Sequence, residues 1–108
     1  MMFARVVEFT PKPEAKEEIV NVVRREVLPI LKKQPGFLEL LPLVPENKAE
    51  KWINVMLWAE KRDAERYERE VYPRVEGIVN PYLLAPVVHT HYNLEGSLCK
   101  HFVEALTA

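Results

Sequence analysis

Hydrophobic and polar positions alternate or cluster in four short runs of this chain and recur at helical spacing in two long ones. Residues 2–9 (Met2 to Phe9), rich in Val, Phe and Ala, predict a first strand, which Thr10-Pro11-Lys12-Pro13 breaks. Over residues 14–33, Ala15, Ile19, Val22, Val23, Val27, Ile30 and Leu31 form one apolar helical stripe. Glu14, Glu17 and Glu18 in its first turns and Lys32 and Lys33 in its last suit the helix dipole. Pro29 has no N–H to give the Arg25 carbonyl, so a kink is expected in the last turn. Gln34-Pro35-Gly36 ends the helix. Residues 37–44 predict a second strand, placed at a sheet edge by Pro42. Beyond a polar loop, residues 52–59 predict a third strand. Residues 61–79 predict a second helix, with Ala64, Tyr67, Val71, Val75 and Ile78 on one stripe and Pro73 and Gly77 weakening its later part. Residues 87–94 predict a fourth strand, and Leu98, Phe102, Val103 and Leu106 a short amphipathic C-terminal helix.

The order β-α-β-β-α-β is the split βαβ, or ferredoxin-like, arrangement of the α+β class. It predicts a four-stranded antiparallel sheet with two helices on one face, over residues 1–96, followed by a helical tail at 97–108. Parity then tests the second face of that sheet. The first strand divides into Phe3, Val7 and Phe9 against Met2, Ala4 and Val6. The third divides into Ile53, Val55 and Leu57 against Trp52, Met56 and Trp58. Both sides are largely apolar, whereas a solvated face would alternate more cleanly. An uncovered apolar face of that size is rare on a monomer, so a homodimer packed sheet against sheet is expected. The alternative is a monomer whose tail helix covers the second face, but the tail is short for four strands.

Composition narrows the function classes. A chain of 108 residues fits one domain, and 48% hydrophobic with 29% charged residues is globular rather than disordered. A net charge of −1 gives no footprint for nucleic acid or an anionic membrane. A single cysteine, Cys99, excludes an intrachain disulfide. The opening MMFARVVEFT places Arg5 and Glu8 in a strand-like run, unlike a signal peptide, and no apolar run approaches the roughly 20 residues of a membrane helix. A cytoplasmic location is the resulting expectation.

Some polar and aromatic residues stand where chemistry can use them. His89 and His91 share one face of the fourth strand with Val87 and Asn93. Two such imidazoles can bind a metal or serve as acid and base, but no third ligand stands at a telling spacing and no metal site is assigned. The plainer reading is a hydrogen-bonded pair in the pocket or the dimer. Parity alone leaves open which face carries them. Trp58, Tyr67 and Tyr72 either line a pocket for a flat aromatic molecule or pack in the core. Arg5 and Asn54 are polar residues in strands and need partners: Glu8 or Glu39 for Arg5, or an anionic ligand. Glu60 to Arg69 reads as a solvated helix face with pairs such as Glu65 and Arg69. Cys99, near His101, reads as a packing residue rather than a nucleophile. No phosphate loop, CxxC pair or serine-hydrolase elbow is present.

The run LPILKKQPGFLEL, with Pro35-Gly36-Phe37 opening the second strand, and the run W-x-N-V-M-L-W, with Trp58 closing the third before the helix EKRDAERYEREVYP, resemble the antibiotic-biosynthesis-monooxygenase superfamily over about residues 2–94. The resemblance implies a dimeric α+β barrel with a pocket between helices and sheet in each subunit. The activity it implies is a cofactor-independent monooxygenase acting on a small aromatic or quinol-type molecule. A non-catalytic dimer that binds a small ligand is the alternative, and a purely structural dimer a third reading. The haem-degrading branch is similar in layout but uses an Asn, a Trp and an iron-ligating His where this chain carries Val7, Tyr67 and Gly77. The second helix here has no His to ligate iron, so haem degradation is not expected.

Overall fold

A computed structural model describes residues 2–48 and 51–95. The strands are β1 (Phe3–Phe9), β2 (Phe37–Leu43), β3 (Trp52–Trp58) and β4 (Val88–Asn93). All neighbours are antiparallel, in the order β2-β3-β1-β4. The expected βαββαβ arrangement is the observed one, and Pro42 lies on an edge strand, where a missing N–H costs least. The C-terminal helix expected around Leu98 to Leu106, with Cys99, lies outside the described residues.

The first helical segment is not uniform. A turn of 3₁₀ helix at Pro13–Ala15 leads into α1 (Lys16–Val22), a π-helical stretch at Val23–Val27, and α2 (Leu28–Lys32). The Leu28 N–H reaches back five residues to the Val23 carbonyl. The expected disturbance at Pro29 is therefore met one turn earlier, by a widened turn. The second helix is likewise two, α3 (Lys61–Glu70) and α4 (Tyr72–Val79), broken at Val71 with φ −120°. Pro73 explains the break: its ring has no N–H for the preceding turn and crowds the carbonyl four residues back. Among the described residues, no helix is long and apolar enough to cross a membrane.

The register orients the sheet. Rows of directly opposed residues run across the helix-covered face: Leu40, Met56, Arg5, His91 in one, and Pro42, Asn54, Val7, His89 in the next. Phe3, Val7, Phe9, Met56 and Trp58 of this face are buried against Ile19, Val27, Leu31, Ala64, Tyr67 and Val75 of the helices. On the opposite face lie Val6, Ile53, Val55, Leu41, Leu43, Val88 and Tyr92, interrupted by Glu8, Glu39 and Thr90. Leu43, Val88 and Tyr92 there remain half exposed. The apolar second face deduced from parity is thus present, without a covering layer among the described residues.

One glycine locks β2 to α3. Gly36 has φ +80°, a left-handed conformation that suits glycine, and a Cβ there would fall 2.1 Å from Asp63 Oδ2. The Gly36 carbonyl also accepts the Ala59 N–H at 2.7 Å.

Candidate functional site

The centre of the helix-covered face carries a cation. Arg5 is fully buried, with 0% exposure. A buried guanidinium needs an anion and further acceptors, because its charge has lost its water. Its Nε donates to Glu68 Oε1 of α3 at 2.7 Å. Its Nη2 lies 3.4 Å from His89 Nδ1. Arginine only donates, so Nδ1 must accept, which selects the neutral imidazole with its proton on Nε2. Nη1 meets the Met56 sulfur at 3.9 Å. The guanidinium also lies over the Tyr72 ring, 4.4 Å from its centroid.

Glu8 and Glu39, the partners expected for Arg5, both lie on the other side of the sheet, since they have the opposite parity. Glu68 is the partner, and the sequence reading of Glu60 to Arg69 as a solvated face passed over it. A signal existed: Ala64, Glu68 and Tyr72 are four apart, which sets Glu68 on the inner edge of the stripe. Asp63 of the same stretch is buried too and accepts from Arg66 at 2.6 Å, while Arg69 approaches Glu70 rather than Glu65.

Glu68 Oε1 is shared. It bonds both Arg5 and His91 Nε2, so the carboxylate joins a buried cation to a strand-edge imidazole. Burial alone would raise the Glu68 pKa, but the bonds and charges of His91 and Arg5 outweigh it and hold the group below its ordinary value. Burial and the Arg5 charge both lower His89, in agreement with its neutral form. Burial raises the phenols of Tyr67 and Tyr72, so both stay protonated near neutral pH.

On the other side of Arg5 a cavity of about 40 Å³ lies between the helices and the sheet. Its walls are apolar, with Val23, Val27 and Val75 from the helices and Val7 and Met56 from the sheet, and its polar members are Arg5, Asn54 and Tyr72. A wider groove of about 610 Å³ between α1–α2 and the β2 edge shares Phe9, Ile19, Val23, Leu40 and Asn54 with it. Asn54 therefore stands at the neck between an open groove and a closed end that presents Arg5.

Of the residues singled out in the sequence, Arg5, Asn54 and Tyr72 come together at this cavity. Trp58 and Tyr67 pack behind it, their rings 5.1 Å apart, and Tyr67 reaches Tyr72 at 6.2 Å. His89 meets the edge of Tyr72 at 5.9 Å. His91 stacks on Phe3 at the β4 edge, away from the cavity. Among the described residues the Tyr67 hydroxyl and the indole N–H of Trp58 are buried with no hydrogen-bond partner, while the Tyr72 hydroxyl is turned toward Arg5 and Glu76. Among the described residues, no group of three metal-binding side chains is gathered.

Comparison with known proteins agrees with this architecture. No curated protein matches the chain in sequence. Among solved structures, SnoaB of Streptomyces nogalater, described as a cofactor-independent oxygenase, superposes with a TM-score of 0.73 at 19% identity, over 90% of this chain and 96% of its own. Rv0793 of Mycobacterium tuberculosis gives 0.71 at 13% identity, over 92% and 100%. A conserved protein of Methanosarcina mazei Go1 gives 0.73 at 12%, over 88% and 94%. At these identities the likeness speaks for the fold. The family model described as antibiotic biosynthesis monooxygenase matches residues 2–72, most of the chain, and the protein therefore belongs to that family.

Proposed function

We propose that the protein is a cofactor-independent monooxygenase of a small aromatic or quinol-type molecule, bound between the helices and the sheet. The observation that carries this reading is the buried Arg5 at the closed end of an apolar cavity. A phenol or enol entering there meets a cation whose field favours the oxyanion, and an electron-rich anion is the form that reacts with O₂. Tyr72 and Asn54 add polar contacts that orient the ring, and the apolar walls exclude water. Family membership and the fold shared with SnoaB support the same activity. The apolar outer face of the sheet supports a homodimer, formed by a second copy packed sheet to sheet.

The test is oxygen consumption with a panel of anthrones, naphthols and hydroquinones. Turnover by the purified protein, at least about 100-fold weaker for Arg5→Met with the dimer intact, is expected. Equal rates for the two proteins remove Arg5 from the reaction.

One observation favours a non-catalytic ligand-binding dimer instead. Among the described residues no carboxylate or imidazole lines the cavity, and the nearest bases, His89 and Glu76, act on it only through Tyr72. Ligand-dependent thermal stabilisation without oxygen consumption establishes that second reading.

A further inference from the structure

The outer groove differs from the inner cavity in charge. Arg24 and Lys32 line it from the helical wall, eight residues apart with Leu28 between them, a span of about 12 Å. Neither forms an ion pair among the described residues, unlike Arg25, which approaches Glu26 at 3.8 Å. Glu39 reaches only the rim of the groove, at the irregular start of β2, where its carboxylate accepts the backbone N–H of Leu40 at 2.9 Å. The floor between these charges is apolar and aromatic, built from Phe37, Leu40, Pro42 and Trp52. Two uncompensated cations above such a floor match a ligand with a hydrocarbon body and an anionic group.

We propose that this groove is an anion subsite: Arg24 and Lys32 select a substrate that carries a carboxylate on its apolar body. The inference rests on the reading of the cavity as the substrate site. The reacting ring sits at the Arg5 end, the body passes Asn54, and the carboxylate emerges between Arg24 and Lys32. The groove lies on the helix side of the sheet, away from the apolar outer face, so sheet-to-sheet pairing leaves it open.

The experiment compares 2-anthroate with its neutral carboxamide, titrated into the full chain at low salt and followed by quenching of tryptophan fluorescence. The wild-type protein is expected to bind the acid at least about tenfold more tightly than the amide. In the double variant Arg24→Gln/Lys32→Gln, both positions being exposed, the two affinities are expected to converge while amide binding stays unchanged. A preference that survives in the double variant overturns the proposal and assigns the charge selection to Arg5. Equal binding of acid and amide by the wild type overturns it as well, as does a failure of the acid to bind. The two readings fail separately. If no quinol of the oxygen-consumption panel is turned over but the Arg24- and Lys32-dependent preference stands, the subsite holds and the catalytic reading falls.

Discussion

On the β2 side of Arg5 the helix-covered face is a largely apolar cavity walled by valines. On the β4 side it is a bonded set of ionisable groups, with Glu68 between Arg5 and His91 and His89 behind. The same guanidinium serves both. Toward β4 its charge is balanced by a carboxylate, and toward β2 its remaining N–H groups face space lined by hydrocarbon. The difference shows why a buried cation survives here: the network covers its desolvation cost, and the cavity draws on its field. Either half without the other leaves Arg5 as a defect.

Arg5→Met tests this most severely. It removes the cavity's cation and leaves the Glu68 carboxylate facing a thioether. Oxygenation is expected to fall at least about 100-fold. Stability should fall by about 2–3 kcal/mol in urea titration, less than for a fully enclosed pair because Glu68 is partly exposed. Adding Glu68→Gln should recover much of the stability and none of the activity. If stability fails to recover, the two halves are not joined through this pair.

Ile19→Ala acts on the apolar half alone. Ile19 is buried and lines both cavity and groove, so its truncation enlarges existing space. A loss of about 2–3 kcal/mol is expected by thermal or urea unfolding. The pH dependence of stability should keep its wild-type shape, and a changed shape would show that the halves are coupled through packing.

Glu68→Gln acts on the bonded half. The Glu68 pKa is lowered in the folded state, so its stabilisation is present above the unfolded carboxylate value and is lost as pH falls through the folded value. The variant should lose about 1 kcal/mol at neutral pH and unfold less steeply with acid than the wild type. Parallel acid limbs would remove Glu68 from the network's energetics.

The smallest effect belongs to His89→Gln. A histidine whose folded pKa is lowered must charge as pH falls below its unfolded value near 6.5, and stability declines from there until the folded value is passed. The variant should flatten that stretch of the curve slightly. The ¹⁵N shifts of the wild-type ring should show Nδ1 as the unprotonated nitrogen, and a protonated Nδ1 contradicts the bond drawn from Arg5.

The strands were legible because a period of two, bounded by proline and glycine, has few competing readings: Thr10-Pro11 and Pro35-Gly36 both punctuate as expected. The helix breaks were half legible. Pro29 and Pro73 announced trouble, but a proline constrains the turn before it, so the disturbance surfaced at Val23–Val27 and at Val71. Arg5, Asn54 and Tyr72 could be singled out as polar or aromatic residues near the core, and they converge. The Arg5 partner could not be read, because it lies 63 residues away and 16 acidic residues compete for the role. Parity placed His89 and His91 together but could not turn the strand. The sheet register and the Arg5 and Glu68 contacts show that both imidazoles face the helices.

The π turn has a consequence for chain length. Val22 and Val27 are both buried although five residues apart, which an α helix would set about 140° around its axis from one another. The segment thus holds one residue more than an α helix crossing the same gap. Its Arg24, Arg25 and Glu26 are exposed, and substitution at each is expected to be mild. Deletion of one residue is expected to be mild as well. It returns the stretch to α pitch and leaves Val22 and Val27 four apart, about 40° around the axis, so Ile19 before them keeps its place in the core. The extra residue is absorbed by the widened turn, and a chain one residue shorter here can seat its first helix on the same stripe.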